Sequence, residues 1–506
     1  MDPAGSTNQS GSTRVLRADT LLDSVLIVLG MNVVQRLVGF LRSVLFCRWL
    51  EPEALGQWDM AFAFLMLAAP LSMLAIPAAF GRYVEHYRQR DQLRMFFRRT
   101  GFWCVGFTGA SCVVIYLARP WFSELIFGTR DQTVLVSLVA ATLFVMVANH
   151  YFIELLTAMR NARALALLQF ANSLLFALLG VGLLLGWQQT ATSVVVAYGG
   201  ACVLTAIGVL FYMRSTWQAL PVAQEYLPQR VFWAKVLPYA VWVWVTSFMA
   251  NLFVIADRYM ILHHAKVAPE EALAMVGQYH SSRIVPVLMI SIAMMLSGIV
   301  TPHLSYDWEG GRRDRVGARL NLFAKLLGLA LTTGGVAVLL AKPLLFDWAL
   351  EGKFSDGLEV LPLTLTYCIW FGMTTAVQIY LLCAEKARLA SYTLAAGLVA
   401  NVVLNLILLP KFGLIGAVTA TTAANLIALT LSGLFAHLLG FRFHPGTLII
   451  LASPLLLQAG VWISGGALVA IGILAVSTRW VFSGEEKVQL MENGRAYWSK
   501  WRRSSQ

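Results

Sequence analysis

Thr192-Ser-Val-Val-Val-Ala-Tyr-Gly-Gly-Ala-Cys-Val-Leu-Thr-Ala-Ile-Gly-Val-Leu-Phe-Tyr-Met213 contains no charged residue and ends against Arg214. About 20 mostly apolar residues cross the hydrocarbon core as a helix, so this stretch reads as one membrane span. Similar runs recur along the 506 residues, near 20–47, 54–80, 100–118, 132–156, 165–186, 233–262, 276–304, 319–341, 357–383, 389–409, 413–438, 447–462 and 465–482. The expectation is an all-α polytopic membrane protein with about fourteen transmembrane helices. The last two are short and are expected to form a hairpin across Ser464-Gly465-Gly466. Composition agrees: 58% of residues are hydrophobic and 13% charged, and the mean hydropathy is +0.69. A soluble enzyme carries about 25% charge, so that class is excluded, as are disordered chains and disulfide scaffolds.

The basic residues are distributed unevenly. Arg82, Arg88, Arg90, Arg94, Arg98, Arg99, Arg160, Arg163, Arg214, Arg230, Lys235, Arg312, Arg313, Arg315, Arg319, Lys386, Arg388 and Arg442 fall in one set of loops. With both termini, that side holds 26 of the 38 basic residues; the other side holds seven and the spans five. Short loops rich in Lys and Arg face the cytoplasm. Both termini are therefore expected inside, in a bacterial cytoplasmic membrane. The net charge of +12 reads as a topology and lipid-surface signal, with no nucleic acid as partner. The start, up to Thr20, is polar and has no signal-peptide pattern; the first apolar segment reads as a retained anchor. The tail Arg495–Arg503 mixes aromatic and basic residues, a pattern suited to an anionic membrane surface.

Three short patterns recur in order. Gly56-Gln57-Trp58 returns as Gly277-Gln278-Tyr279, Ala118-Arg119-Pro120 as Ala341-Lys342-Pro343, and Ala162-Arg163 as Ala387-Arg388. The offsets drift only from 221 to 225. The chain thus reads as a flexible start (1–19), an N-lobe of helices 1–6 (20–213), a linker (214–232), a C-lobe of helices 7–12 (233–438), extra helices 13–14 (446–482) and a basic tail (483–506). An even number of spans per copy gives a parallel repeat, an arrangement found in some transporters.

Ionisable groups inside spans are costly and mark pathways or partners. Arg36 lies on a polar stripe with Asn32 and Ser43. Arg42 and Arg258 sit near outer helix ends, and Arg283 follows His280-Ser-Ser. Asp59 and His280 occupy equivalent places in the two copies. Asp257 suits either a coupling cation or an ion pair, and Lys325 lies near an inner helix end where it can snorkel. Guanidinium forks bind diphosphate and carboxylate bidentately and stay charged when dehydrated. An anionic cargo is therefore favoured, with Arg36, Arg42, Arg258, Arg283 and Asp59 as candidate cavity residues and Asp257 as the candidate ion-coupling residue. No phosphate-binding G-x-x-x-x-G-K-[ST] loop and no H-E-x-x-H occur. The six cysteines form no C-x-x-C pair and read as small core residues, so no metal, cofactor or catalytic residue is expected.

Arg36-x5-Arg42-x5-Arg48-Trp-Leu-x-Pro-Glu-Ala-Leu-Gly56-Gln-Trp resembles the opening of bacterial polysaccharide transporters. So do Asn251-x5-Asp257-Arg258, Val276-Gly-Gln-Tyr279-x3-Arg283 and Pro302-x2-Ser305. Asn401-x3-Asn405-x4-Pro410-x2-Gly413-x2-Gly416-Ala417-x2-Ala420-Thr421 matches as well. In this order they resemble the lipid-linked oligosaccharide (O-antigen) flippases of the multidrug/oligosaccharidyl-lipid/polysaccharide exporter superfamily. The resemblance implies two six-helix lobes around a V-shaped basic cavity and two extra C-terminal helices. It also implies alternating access, an ion gradient as drive, and a polyprenyl-diphosphate-linked oligosaccharide as partner, beside membrane lipids and other glycan assembly proteins. A lipid II flippase, a multidrug or cation antiporter and a membrane-embedded glycan polymerase are the alternatives.

Overall fold

The computed structural model describes residues 21–74, 76–221, 228–488 and 491–492. The flexible start and the basic tail beyond residue 492 lie outside the described residues. Among the described residues sixteen α-helices follow one another: α1 (Leu21–Trp49), α2 (Pro52–Ser72), α3 (Phe80–Arg88), α4 (Leu93–Leu117), α5 (Arg119–Phe127), α6 (Thr133–Ala158), α7 (Ala162–Gly186), α8 (Ala191–Ala219), α9 (Gln229–His264), α10 (Pro269–Glu309), α11 (Arg313–Leu340), α12 (Ser355–Glu359), α13 (Leu361–Cys383), α14 (Ala387–Leu438), α15 (Pro445–Ala452) and α16 (Val461–Ser477). No strand occurs among the described residues. Nine of these helices are long and apolar enough to cross a membrane. The chain is an all-helical polytopic membrane protein.

α14 is two spans written as one. Asn401 Nδ2 donates to Thr421 Oγ1 at 3.4 Å, whereas 20 residues of straight helix would hold them about 30 Å apart. The chain reverses at Gly413, whose φ of 56° and ψ of −136° are non-helical. Three residues on, Gly416 passes so close to Leu408 that an added Cβ would lie 2.4 Å from its carbonyl oxygen. The motif read from sequence as Asn401 to Thr421 therefore builds a helical hairpin, with Asn405 donating to Asn401 Oδ1 at 2.9 Å across one turn.

Two expected boundaries differ. The span expected to reach residue 80 ends at Ser72; Leu74 takes φ 48°, and Pro77 sits in a 3-10 turn, Ile76–Ala79, before α3. Proline there breaks the helical run, because it lacks the donor that a helix interior needs. The C-terminal hairpin turns at Gly460 (φ 89°) rather than across Ser464-Gly465-Gly466, which lie inside α16. Ser464 hydroxyl bonds back to Gly460 O and to Leu456 O, satisfying carbonyls at the turn. Glycine alone takes that positive φ without strain.

The chain forms two compact units. The first runs through His263 and includes Val267–Gly277; the second comprises His264–Lys266 and the chain from Gln278. In the first, α7 packs on α1 and α8, α8 on α6, α6 on α4, and α2 touches α4, α6 and α8. α9 joins this unit through Asn251 Nδ2, which donates to Met66 O at 3.2 Å, and through Tyr83 hydroxyl, which donates to Lys235 O at 2.8 Å. In the second, α13 packs on α11 and α14, and α11 carries α15 and α16.

The repeated patterns fold alike locally. Ala162 and Ala387 each open a helix, after Arg160 (φ 58°) and Glu385 (φ 57°). Asn161 N donates to Leu156 O, and Lys386 N to Leu381 O, both offset by 225. Asp91 and Gly311 make a second matched pair of left-handed turns, Gly128 and Gly352 a third. Pro120 and Pro343 each start a short helical segment, at a position where the missing N–H costs nothing.

Candidate functional site

α1 places Arg36 and Arg42 in the first unit, both half-buried. Arg36 Nε is buried without a hydrogen-bond partner among the described residues. Ser43, on the same polar stripe, bonds back to Gly39 O at 3.0 Å and is thereby satisfied within its own helix. The guanidinium carbon of Arg42 lies 4.2 Å from the centre of the Phe176 ring, a cation–π geometry. Phe176 is one wall of an aromatic cluster with Phe46, Trp58 and Tyr198, centroids 5.6, 5.5 and 5.0 Å away. Phe62 extends it, 5.5 Å from Trp58 and 5.7 Å from Tyr198. The rings hold Arg42 in place without neutralising it: no carboxylate pairs with it among the described residues.

α2 and α9 bring Asp59 and Arg258 together. Arg258 Nε stands 2.8 Å from Asp59 Oδ2, and the two side chains are 9% and 3% exposed. Two residues expected to line a cavity thus form a buried ion pair within one unit. Asp257, adjacent on α9, is buried too, at 3% exposure. One turn before Asp59, Gly56 meets Gly277 of α10 backbone to backbone. Such approach requires small residues at a helix crossing.

Arg283 lies in the second unit. Its guanidinium carbon is 5.1 Å from the Tyr279 ring centre, and Tyr279 hydroxyl shares a 2.9 Å hydrogen bond with Tyr367 hydroxyl. Ser282 and Thr364 hydroxyls meet at 3.1 Å, fixing α10 on α13. Of the candidates, the first unit holds Arg36, Arg42, Asp59, Asp257 and Arg258, and the second holds Arg283. Sequence reasoning missed the aromatic bed of Arg42. Phe62, Phe176 and Tyr198 come from three helices, and their only sequence signal is aromatic residues inside otherwise aliphatic spans.

Lys325 does not snorkel. It is fully buried and donates to Glu486 Oε1 and Oε2 at 2.9 and 2.7 Å. Glu486 also accepts from Ser483 N at 2.7 Å, which ties the segment after α16 to α11. No group of three or more His, Cys, Asp or Glu residues able to hold a metal occurs among the described residues.

Solved structures share this fold. A lipid II flippase, MurJ, in an inward closed conformation aligns with a TM-score of 0.64 at 13% identity, covering 89% of this chain and 98% of that one. An inward-facing multidrug resistance MATE family transporter of the MOP superfamily aligns at 0.61 and 13% identity, covering 82% and 97%. A MOP superfamily transporter from Pyrococcus furiosus, described as having a binding pocket of reversed polarity, aligns at 0.55 and 15%, covering 85% and 98%. No curated protein sequence matches the chain. The family described as "Polysaccharide biosynthesis protein" matches residues 21–306. With more than half its length in that match, the chain belongs to the polysaccharide biosynthesis protein family.

Proposed function

We propose that this protein translocates a polyprenyl-diphosphate-linked oligosaccharide, such as an O-antigen or exopolysaccharide precursor, across the bacterial cytoplasmic membrane by alternating access of its two lobes. Sugar hydroxyls cannot enter hydrocarbon unaided, because an uncompensated polar group costs about 2–7 kcal/mol to dehydrate. The carrier offers them a polar path while the polyprenyl tail stays in lipid. The observation that carries this reading is Arg42, an intramembrane guanidinium braced on Phe176 with no carboxylate partner among the described residues. It is available for the diphosphate. Arg36 extends the basic path within the first unit, the Asp59–Arg258 pair is the element whose opening frees a further guanidinium, and Arg283 is the candidate contact of the second unit. Asp257, buried beside that pair, is the group we assign to ion coupling.

The test is Arg42→Ala and Arg36→Ala in a strain dependent on the protein for surface glycan. Loss of glycan at normal protein level supports the reading. Normal glycan in both variants overturns the assignment of these arginines. A second reading is translocation of lipid II, favoured by the match of the MurJ fold over 89% of this chain. Rescue of a strain lacking its lipid II flippase would establish it, and rescue of glycan display alone would exclude it.

A further inference from the structure

A groove of about 610 Å³ opens between α4, α6 and α8 in the first unit. Phe97, Tyr151 and Leu155 line its base, and the exposed Leu210 and Phe211 form its rim. Tyr151 is fixed there, its hydroxyl donating to Phe97 O at 2.9 Å and sharing a 3.1 Å bond with Thr100. Gly101 leaves the base open; an added Cβ would find only the Tyr151 ring, 3.4 Å from its hydroxyl.

The walls are carbon, but one end is cationic. Arg98 and Arg214 line the groove and are exposed. Neither has an ion-pair partner among the described residues. Trp217 closes the same end, with Arg94 stacked 5.6 Å from its ring centre. Arg98 stands two residues before the apolar run 100–118 and Arg214 immediately follows the run 192–213. Both guanidiniums therefore stand at the membrane boundary on the arginine-rich side, where anionic headgroups concentrate.

We propose that this groove binds one anionic phospholipid. An acyl chain lies along Phe97, Tyr151 and Phe211, and the phosphate sits between Arg98 and Arg214. Trp217 lies at headgroup depth, where tryptophan concentrates. Charge complementarity selects an anionic headgroup. The groove is within the size of sites that bury a single small ligand, and a polyprenyl chain of many isoprene units exceeds it. The site is separate from the arginines assigned to the transported lipid, so either assignment can fail alone.

The experiment is native mass spectrometry of the purified full chain in detergent, titrated with phosphatidylglycerol or phosphatidylcholine. Wild type is expected to retain one phosphatidylglycerol in preference to phosphatidylcholine. R98Q/R214Q is expected to bind it roughly 30-fold more weakly, from a step of about fivefold per arginine near a charged lipid surface. Gly101→Leu, which fills the base and keeps both charges, is expected to lose the same lipid. Arg130→Gln, a charge removed elsewhere, is expected to retain it. Equal retention of the two lipids, unchanged binding by R98Q/R214Q, or unchanged binding by Gly101→Leu overturns the proposal. So does displacement of phosphatidylglycerol from wild type by polyprenyl phosphate, which would give the groove to the transported lipid.

Discussion

Gly56 and Gly277 cross with no room for a side chain on either. A Cβ on Gly56 would lie 1.8 Å from Leu273 O, and one on Gly277 would lie 1.9 Å from Pro52 O. Pro52 and Leu273 are separated by the same 221 residues as the two glycines. The crossing is therefore a local pseudo-two-fold, in which each copy of one motif packs on the other. Alanine at either position forces α2 away from the first turns of α10. Overpacking of this kind costs about 1–3 kcal/mol. G56A and G277A are expected to melt earlier in detergent, and G56A/G277A to fall short of the sum because the two share one contact. An unchanged melting midpoint would mean the helices do not meet there.

The Asp59–Arg258 pair is buried on both sides, so removing one partner takes a 2.8 Å ion pair from a charge shielded from water. Asp59→Asn or Arg258→Gln alone is expected to destabilise by about 3–5 kcal/mol. D59N/R258M removes both charges and is expected to recover most of that. If glycan display stays lost in the recovered double variant, the pair has a transport role beyond holding α2 to α9. Full display would reduce it to a structural pair.

Arg42 predicts the opposite split. It rests on Phe176 without an ion partner among the described residues, so Arg42→Ala is expected to leave folding stability within about 1 kcal/mol of wild type, the scale of a cation–π contact. Transport is expected to drop at least tenfold. Arg42→Lys retains the charge and loses the fork, and is expected to fall between the two. Equal transport by all three proteins would remove Arg42 from the path.

Lys325 and Glu486 form the anchor of the segment after α16. Lys325→Ala leaves a carboxylate in a site that is 8% exposed, and is expected to cost about 3–5 kcal/mol. Limited proteolysis should then cut between α16 and residue 488 at a concentration of protease that spares wild type. K325M/E486L, which removes both charges, is expected to restore resistance. Equal resistance of K325A and wild type would show that the pair does not hold this segment.

His86, on α3, faces Lys235 Nζ at 2.8 Å. Burial first, then the charges of Lys235 and Arg90, hold its pKa below the usual 6.5. The neutral ring accepts from the ammonium; the protonated ring repels it. The contact therefore contributes fully above about pH 6.5 and is lost as pH falls through the lowered value. Rate-corrected hydrogen exchange across α3 is expected to rise on acidification, and to lose that pH dependence in His86→Gln. A flat profile in wild type would show that the contact does not hold α3 in place.

Much of the fold was legible because the bilayer imposes a one-dimensional rule. A run such as Thr192–Met213 has to be helical, and each of the apolar runs holds helix over much of its length, including the two that α14 joins at Gly413. The αL turns at Arg160 and Glu385 likewise fall where the short repeats placed equivalent helix starts. Local chemistry sets such features, so sequence shows them. It showed less of where spans stop. Leu74 and Gly460 end helical runs through backbone angles that apolar composition does not encode.

The candidate site divides in the same way. Sequence by itself singled out Arg36, Arg42, Asp59, Asp257, Arg258 and Arg283, because a charge inside a largely apolar run is visible without coordinates. It could not say which charges meet. Asp59 and Arg258 are about 200 residues apart, as are Gly56 and Gly277, and Lys325 and Glu486 are about 160 apart. Only the packing of α2 on α9, α2 on α10 and the post-α16 segment on α11 decided that the first and last of these pairs are ionic and that the middle pair excludes every side chain. The physical reason is that an ion pair or a close crossing depends on distances of a few ångströms between helices, and those distances are set by tertiary packing rather than by spacing along the chain.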